Sequence, residues 1–258
     1  MHDNNNLPGS KSDSIDKITA GGILFLNPVE AVPDIKRITA RLKLNVSSPL
    51  PESRIRQILA TLSQKAQPRA ACKLSLETGK LNHSLKIDGV RFDAPFLRVN
   101  LASAKLIFPF MVTAGEELES FQLNTRNVDE DYCLKTIKEL VLDEACHTLQ
   151  RILRQKYHLP YLWSLIPGEL QAWPLSGIKN IFRIATDLSR VTGIRLQADY
   201  SLSPVYSRCG FFYYTETEFE GCQVCSREPC MMRRAQYNPD LARQKGLKIG
   251  RVCGKDTA

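Results

Sequence analysis

The chain has 258 residues, 43% hydrophobic and 24% charged, with a formal net charge of +8. That length and apolar content are enough for a proper core, which excludes a largely disordered chain and a short peptide held only by disulfides. No stretch offers the roughly 18 consecutive apolar residues of a membrane-spanning helix, so no membrane partner is expected.

Residues 1–29 are read as a flexible N-terminal tail. Its start, MHDNNNLPGSKSDSIDK, has no basic apolar run followed by a cleavage site, so export is not expected and the cytoplasm is the expected location. A main domain over 30–235 follows, and a basic tail over 236–258 closes the chain. From Arg227 to Lys255 eight basic residues stand against two acids, Glu228 and Asp240. Such a run suits an anionic cofactor, an acidic protein or nucleic acid, or is simply a solvated tail.

In chain order, DIKRITARLKLNVS (34–47) shows short apolar alternation and predicts a strand with its approach. In the next stretch proline precedes Ile55, Ile58, Leu59 and Leu62 on one stripe, which predicts a helix. Residues 72–91 alternate apolar and polar around Glu77 to Gly79 and Asp88-Gly89, the pattern of short strands joined by tight turns. Residues 97–123 pass through a buried apolar run into a segment with helical spacing containing Gly115. The strongest helix covers 134–157, with Ile137, Val141, Ala145, Leu149 and Ile152 on one face and Lys135, Lys138, Glu139 and Gln150 on the other.

A further helix is expected from an N-cap near Ser176, through Ile178, Ile181, Phe182, Ala185 and Leu188, to a stop at Gly193. Then IRLQADYSLSP and CGFFYYTETEFE have strand composition, and a cysteine-bearing loop comes next. Strands and helices do not alternate regularly, so the fold class is α+β rather than a doubly wound parallel sheet. No fixed-period repeat is present.

Eight cysteines in a chain of this length without an export signal are expected as reduced thiols. Cys72, Cys133 and Cys146 are scattered and behave as small buried hydrophobes. Cys222, Cys225 and Cys230 are different: three thiols fall within nine positions, two of them spaced C-x-x-C, which lets one turn grip a metal centre. Adjacent Cys146 and His147 on a helix point in different directions and do not make a nucleophile and base. Phosphate-loop and dinucleotide fingerprints are missing, as is a paired-carboxylate signature.

Several weak motifs in order, PFMVTAGEELESF, DEACHTLQRIL, SLIPGELQAWPLSGIKNIF and GIRLQADYSLSPVYSRCGFFY, resemble the activation domain of cobalamin-dependent methionine synthase, and more closely its free-standing relatives. The resemblance spans most of 35–235. It implies a curved antiparallel sheet with flanking helices in a single main domain. It also implies a surface that docks over the corrin of a corrinoid-binding protein or methionine synthase module, binds S-adenosylmethionine, and lets inactive cob(II)alamin be reduced and remethylated. Pro167 and Gly168 match the family's P-G turn. Pro204, Ser207 and Gly210 match its P-x-x-S-x-x-G loop, and these positions are expected near the corrinoid. Trp173 offers a flat face for the same contact, or is core packing.

One departure counts against the methyl donor. The family's R-x-x-P-G arginine and the tyrosine after it, which hold S-adenosylmethionine, are here Ser164 and Glu169. A hydroxyl cannot replace a two-pronged guanidinium.

Cys222, Cys225 and Cys230 are expected to bind an iron–sulfur cluster, with zinc as the alternative and an unmetallated trio also open. Arg227, Arg233 and Arg234 would offset cluster charge, and reductive reactivation needs an electron, which zinc does not carry. The fourth ligand is Cys253 in preference to Cys209. The function expected is an accessory protein that docks on a corrinoid-bearing partner and supports reductive reactivation, with a redox protein as a further partner. The alternative is a zinc-stabilised binding module whose basic tail holds an acidic protein or, less favoured because Tyr237 is the tail's lone aromatic, nucleic acid.

Overall fold

The computed structural model describes residues 17–18, 22–42, 50–75, 77–80, 84–101, 104, 106–170, 172–215, 221–227 and 235–247. The chain opens with β1 (Lys17–Ile18) and β2 (Ile23–Leu26), which pair antiparallel. Leu24 and Leu26 are buried, so this part of the expected N-terminal tail belongs to the core instead. The segment expected as a strand is a helix, α1 (Ile35–Leu42). Asp34 accepts the Lys36 backbone N–H at its start, and Ile38 and Leu42, one turn apart, are its buried residues. The apolar residues of this stretch fit both periods, and burial against neighbouring helices selects 3.6 over 2. Residues 43–49 of that expectation lie outside the described residues.

The proline-led helix is α2 (Glu52–Lys65), with Ile55, Ile58 and Leu62 buried as expected. Then come β3 (Arg69–Lys73) and a small antiparallel sheet of β4 (Glu77–Lys80), β5 (Leu85–Ile87) and β6 (Val90–Phe92). Asp88 and Gly89, at φ 47° and 80°, form the tight turn between β5 and β6. Next are α3 (Pro95–Leu101), β7 (Ile107–Thr113), every residue of which is buried, and the short α4 (Glu116–Ser120).

The long helix α5 (Val128–Lys156) starts six residues before the expected boundary. The Asn127 side chain caps it by accepting the Asp129 N–H at 2.9 Å, and Asp129, Glu130 and Asp131 complement the dipole of its first turn. Its expected polar face needs one correction. Lys138 is buried, and its ammonium donates to the carbonyls of Glu119 at 3.1 Å and Phe121 at 2.6 Å, tying the end of α4 to α5.

Strand β8 (Tyr161–Leu165) follows, then α6 (Ile178–Ile184) and α7 (Thr186–Thr192). The single helix expected here breaks at Ala185, and Ser176 sits in a 3-10 turn rather than capping. The stop is as expected, with Gly193 left-handed at φ 77°. A two-strand hairpin of β9 (Arg195–Leu196) and β10 (Leu202–Ser203) leads into β11 (Ser207–Thr215). The last helix among the described residues, α8 (Pro239–Gln244), lies in the expected basic tail but is packed, with Ala242 fully buried.

The main sheet has the order β1-β2-β3-β7-β11-β8, antiparallel throughout. Helices cover both faces. On one side α1, α2 and α5 pack on Phe108, Phe110, Val112 and Phe212. On the other α3, α6, α7 and the small sheet pack on Met111, Cys209, Phe211 and Tyr213. Central strands are therefore apolar on both faces, which is why β7 reads as a continuous apolar run rather than an alternating one. Rings mark each side: Phe110 stacks on Phe212 at 4.0 Å, and Trp173 on Phe211 at 5.8 Å. The fold class is α+β, a main antiparallel sheet with flanking helices, as expected.

Candidate functional site

The Pro167-Gly168 pair makes a tight turn after β8. Glu169 donates its N–H to the Ile166 carbonyl at 3.3 Å, Pro167 is the second residue and Gly168, at φ 85°, the third, the arrangement of a type II turn. The turn is held from the far side by Gly168 N–H donating to the Trp173 carbonyl at 2.8 Å. Trp173 itself is 3% exposed and stacked on Phe211, and a Cβ on Gly177 would meet its Nε1 at 2.3 Å. Its ring is occupied by core packing, so the expectation that it offers a face to a corrin is set aside.

The Pro204-to-Gly210 segment runs from a buried proline into β11. Ser207 donates its hydroxyl to Thr113 Oγ1 at 2.9 Å, locking the start of β11 to the end of β7. Gly210 is buried mid-strand, where a Cβ would lie 2.1 Å from the Leu165 carbonyl oxygen. What approaches its backbone is therefore β8 and not a flat ligand. Of the six positions expected near a corrinoid, Gly168 is exposed, Ser207 half-buried and the other four buried. Exposed apolar side chains nevertheless flank both segments: Leu175, which packs against Gly168, and Val205, next to Pro204.

Cys222 lies in a 3-10 turn, Gly221–Gln223, and the Cys225 N–H donates to the Cys222 carbonyl at 3.4 Å. Both side chains are half-buried. Cys230 and Cys253 lie outside the described residues, as do Arg233 and Arg234. Among the described residues no group of three His, Cys, Asp or Glu side chains is placed to hold a metal ion. Cys209 is corrected as a candidate ligand: it points into the core beneath β11, 1% exposed, and burial pushes its thiol up to about 12.

These segments share one feature. A cavity of about 550 Å³ opens between the C-terminal half of α5 and the strands β8 and β11. Ile166 and Glu169 from either side of the Pro167-Gly168 turn line it, as do Arg208 from the Pro204-to-Gly210 segment and Gly221 immediately before Cys222. Ser164, at the family's arginine position, lines it too. The volume falls in the range of small-molecule sites.

Arg208 was not singled out from the sequence. Its signal was an arginine between Ser207 and Cys209, opening an otherwise apolar strand. It lies on the α5 face of β11, where its Nη1 donates to Asp143 Oδ1 at 3.0 Å. The same atom lies 3.8 Å from Cys146 Sγ. Asp143 is shared, its Oδ2 lying 3.5 Å from Arg41 of α1. Cys146 is buried in the cavity wall, and burial pushes its thiol up to about 11, so it is a neutral wall and not a nucleophile.

No protein-family model and no curated protein matches the sequence. Among solved structures, the crystal structure of the MetH reactivation domain bound to AdoHcy is similar, with a TM-score of 0.54 and 12% identity, covering 88% of this chain and 86% of that one. The fold is therefore that of a methionine synthase activation domain. No helix among the described residues is long and apolar enough to cross a membrane.

Proposed function

We propose that the chain is an accessory protein that docks on a corrinoid-bearing partner and supports the reductive reactivation of its cobalamin. The fold it shares with a reactivation domain over 88% of its length supports this reading. The observation that carries it is convergence: Ile166 and Glu169 on either side of the P-G turn, Arg208 within the P-x-x-S-x-x-G segment and Gly221 immediately before the cysteine-bearing turn line one cavity. A turn near residue 167 is thereby brought beside the 204–225 region, and a partner's cofactor and an electron source would have to come close together at such a place. Leu175 and Val205 would supply apolar contact on the docking face.

The test mixes the oxygen-free protein with methionine synthase modules that carry cob(II)alamin and lack their own reactivation domain. A complex in gel filtration, with a changed cob(II)alamin absorption spectrum, is the expected result. Unchanged elution and spectrum overturn the reading. S-adenosylmethionine is left out of the proposal because Ser164 and Glu169 stand where the family holds it, and calorimetry with that compound checks the omission.

An iron–sulfur cluster on Cys222, Cys225, Cys230 and Cys253 is the proposed electron source, with zinc as the alternative that would make the turn structural. Only two of these four sulfurs belong to the described residues, so no electron-transfer step is drawn through a cluster. Metal analysis of anaerobically purified protein and of Cys222→Ser decides: iron with broad visible absorption, lost in the variant, supports the cluster, and a colourless iron-free protein removes it. The nucleic-acid alternative loses ground because part of the basic segment is engaged internally, the Lys245 ammonium lying 5.5 Å above the Trp163 ring.

A further inference from the structure

The acidic run of α4 is shared between two parts of the molecule. Glu116 and Glu119, three positions apart, lie on one side of the helix, while Glu117 is turned about 100° from Glu116. Arg69 of β3 donates from Nη2 to Glu117 Oε1 at 2.9 Å, which fastens α4 to the main sheet. The other two glutamates reach the hairpin that leads into β11. Arg195 Nη2 donates to Glu116 Oε1 at 3.1 Å, and Arg195 is the β9 residue paired with Ser203 of β10. Two residues beyond that pair, the Val205 N–H donates to Glu119 Oε2 at 3.0 Å.

Glu119 is itself held at its backbone. The Lys138 ammonium donates to its carbonyl at 3.1 Å and lies 5.6 Å from the centre of the Tyr206 ring. Tyr206 is fixed from β7, its carbonyl accepting the Ala114 N–H at 2.8 Å. The chain is therefore tied at Ser203 and again at Tyr206. Between those ties Pro204 has no N–H, so the Val205 N–H is the one backbone donor there, and it goes to a carboxylate. The side chain it carries is 64% exposed and is the apolar residue next to Pro204 already assigned to the docking face. A hydrogen bond to a charged acceptor is stronger than one to a neutral group, which suits it to holding an exposed residue in one direction.

We propose that Glu119 is a positioning residue for the docking face: by accepting the Val205 N–H it sets the direction in which Val205 meets the corrinoid-bearing partner. This rests on the docking reading above, and Glu119 acts through Val205. What the role requires is an acceptor oxygen at the right reach. Glutamine supplies one at the same length, aspartate keeps the charge but falls one methylene short, and alanine supplies none.

Two measurements test it on the full chain labelled with 15N. The first is hydrogen exchange at the Val205 amide, which needs no partner. Exchange is expected to be about tenfold faster in Glu119→Ala and Glu119→Asp and close to wild type in Glu119→Gln. All three variants keep the Glu119 carbonyl that holds Lys138, and Glu119→Asp keeps the test open if Glu119→Ala fails to fold. The second is affinity for methionine synthase modules carrying cob(II)alamin, read from the absorption change. It is expected to be about three- to tenfold weaker in the alanine and aspartate variants, the penalty of ordering one loose side chain at an interface, and restored in the glutamine variant. Unchanged Val205 exchange in both weak variants overturns the proposal, as does faster exchange with unchanged affinity, or a glutamine variant that behaves like alanine. A wild type that forms no complex overturns the docking reading instead, and Val205 exchange then still decides whether Glu119 fixes the segment.

Discussion

Gly210 of β11 and Leu165 of β8 approach so closely that a Cβ on Gly210 would sit 2.1 Å from the Leu165 carbonyl oxygen and 3.2 Å from Ile166 Cγ1. The obstacle is backbone in the interior of the sheet, which cannot swing aside as a flexible side chain would. Gly210→Ala should therefore destabilise by about 3 kcal/mol or more, at the upper end of overpacking effects. Gly79→Ala is the control, since nothing lies within 4 Å of its Cβ position. Urea unfolding checks this. A large drop in midpoint for Gly210→Ala with little change for Gly79→Ala is expected, and equal effects would refute the close approach.

Much of this architecture was legible where pattern and burial agree. The α2 stripe of Ile55, Ile58 and Leu62, the Asp88-Gly89 turn and the Gly193 stop each follow from local chemistry that the tertiary structure keeps. The failures share a cause in contacts distant in sequence. α1 is helical because Ile38 and Leu42 bury in the core layer containing α5, and Lys138 is interior because the end of α4 brings it two carbonyls. Neither partner is visible from the residues alone. The site was legible in part. The P-G turn, the segment around Ser207 and the cysteine turn were singled out separately, but none of the residues expected there lines the cavity itself, and the α5 wall that closes it came only with the fold. Arg208 was missed because its meaning depends on Asp143, 65 positions earlier.

Asn100 should hold the C-terminal helix in place. Buried on α3, it donates its side-chain amide to the Phe96 carbonyl at 2.7 Å and the Lys245 carbonyl at 3.0 Å, and accepts the Tyr213 hydroxyl at 3.3 Å. Asn100→Ala leaves a carbonyl and a buried phenol without that partner, a cost of about 2–3 kcal/mol. Limited proteolysis should then cut within 235–247 sooner than in wild type, before the main domain is lost. Identical digestion patterns would show that α8 is held by apolar contact alone.

Thiol accessibility divides the cysteines. Cys72 and Cys209 are pushed up to about 12, and Cys133 and Cys146 to about 11, in each case first by burial. All four are interior, whereas Cys222 and Cys225 are half-buried. Metal-free native protein treated with iodoacetamide near pH 8 should be modified at Cys222 and Cys225 and spared at the four interior positions, because the thiolate is the reacting form. Mass spectrometry of the digested protein checks it. Early modification of Cys146 would mean that the cavity opens deeply in solution, while protection of Cys222 and Cys225 that disappears on treatment with a chelator would favour the metal proposal.

Acid should weaken the clasp between α2 and the start of α5. Arg54 donates from Nε and Nη2 to the two oxygens of Glu130, each at 2.7 Å. The hydrogen bond from Arg54, and after it one from Thr125, holds the Glu130 carboxyl below its ordinary value of 4.5. A carboxyl whose pKa is lowered in the folded state binds fewer protons there than in the unfolded chain. Its contribution is therefore complete above 4.5 and is lost as pH falls through the lower folded value. Wild type should melt above Glu130→Gln at pH 7, and the gap should narrow steadily in acid below pH 4.5 until the two melting curves meet. Arg54→Met should remove the same pH dependence from the other partner. A gap of constant size across that range would mean that the pair acts through packing of the arginine stem and not through charge.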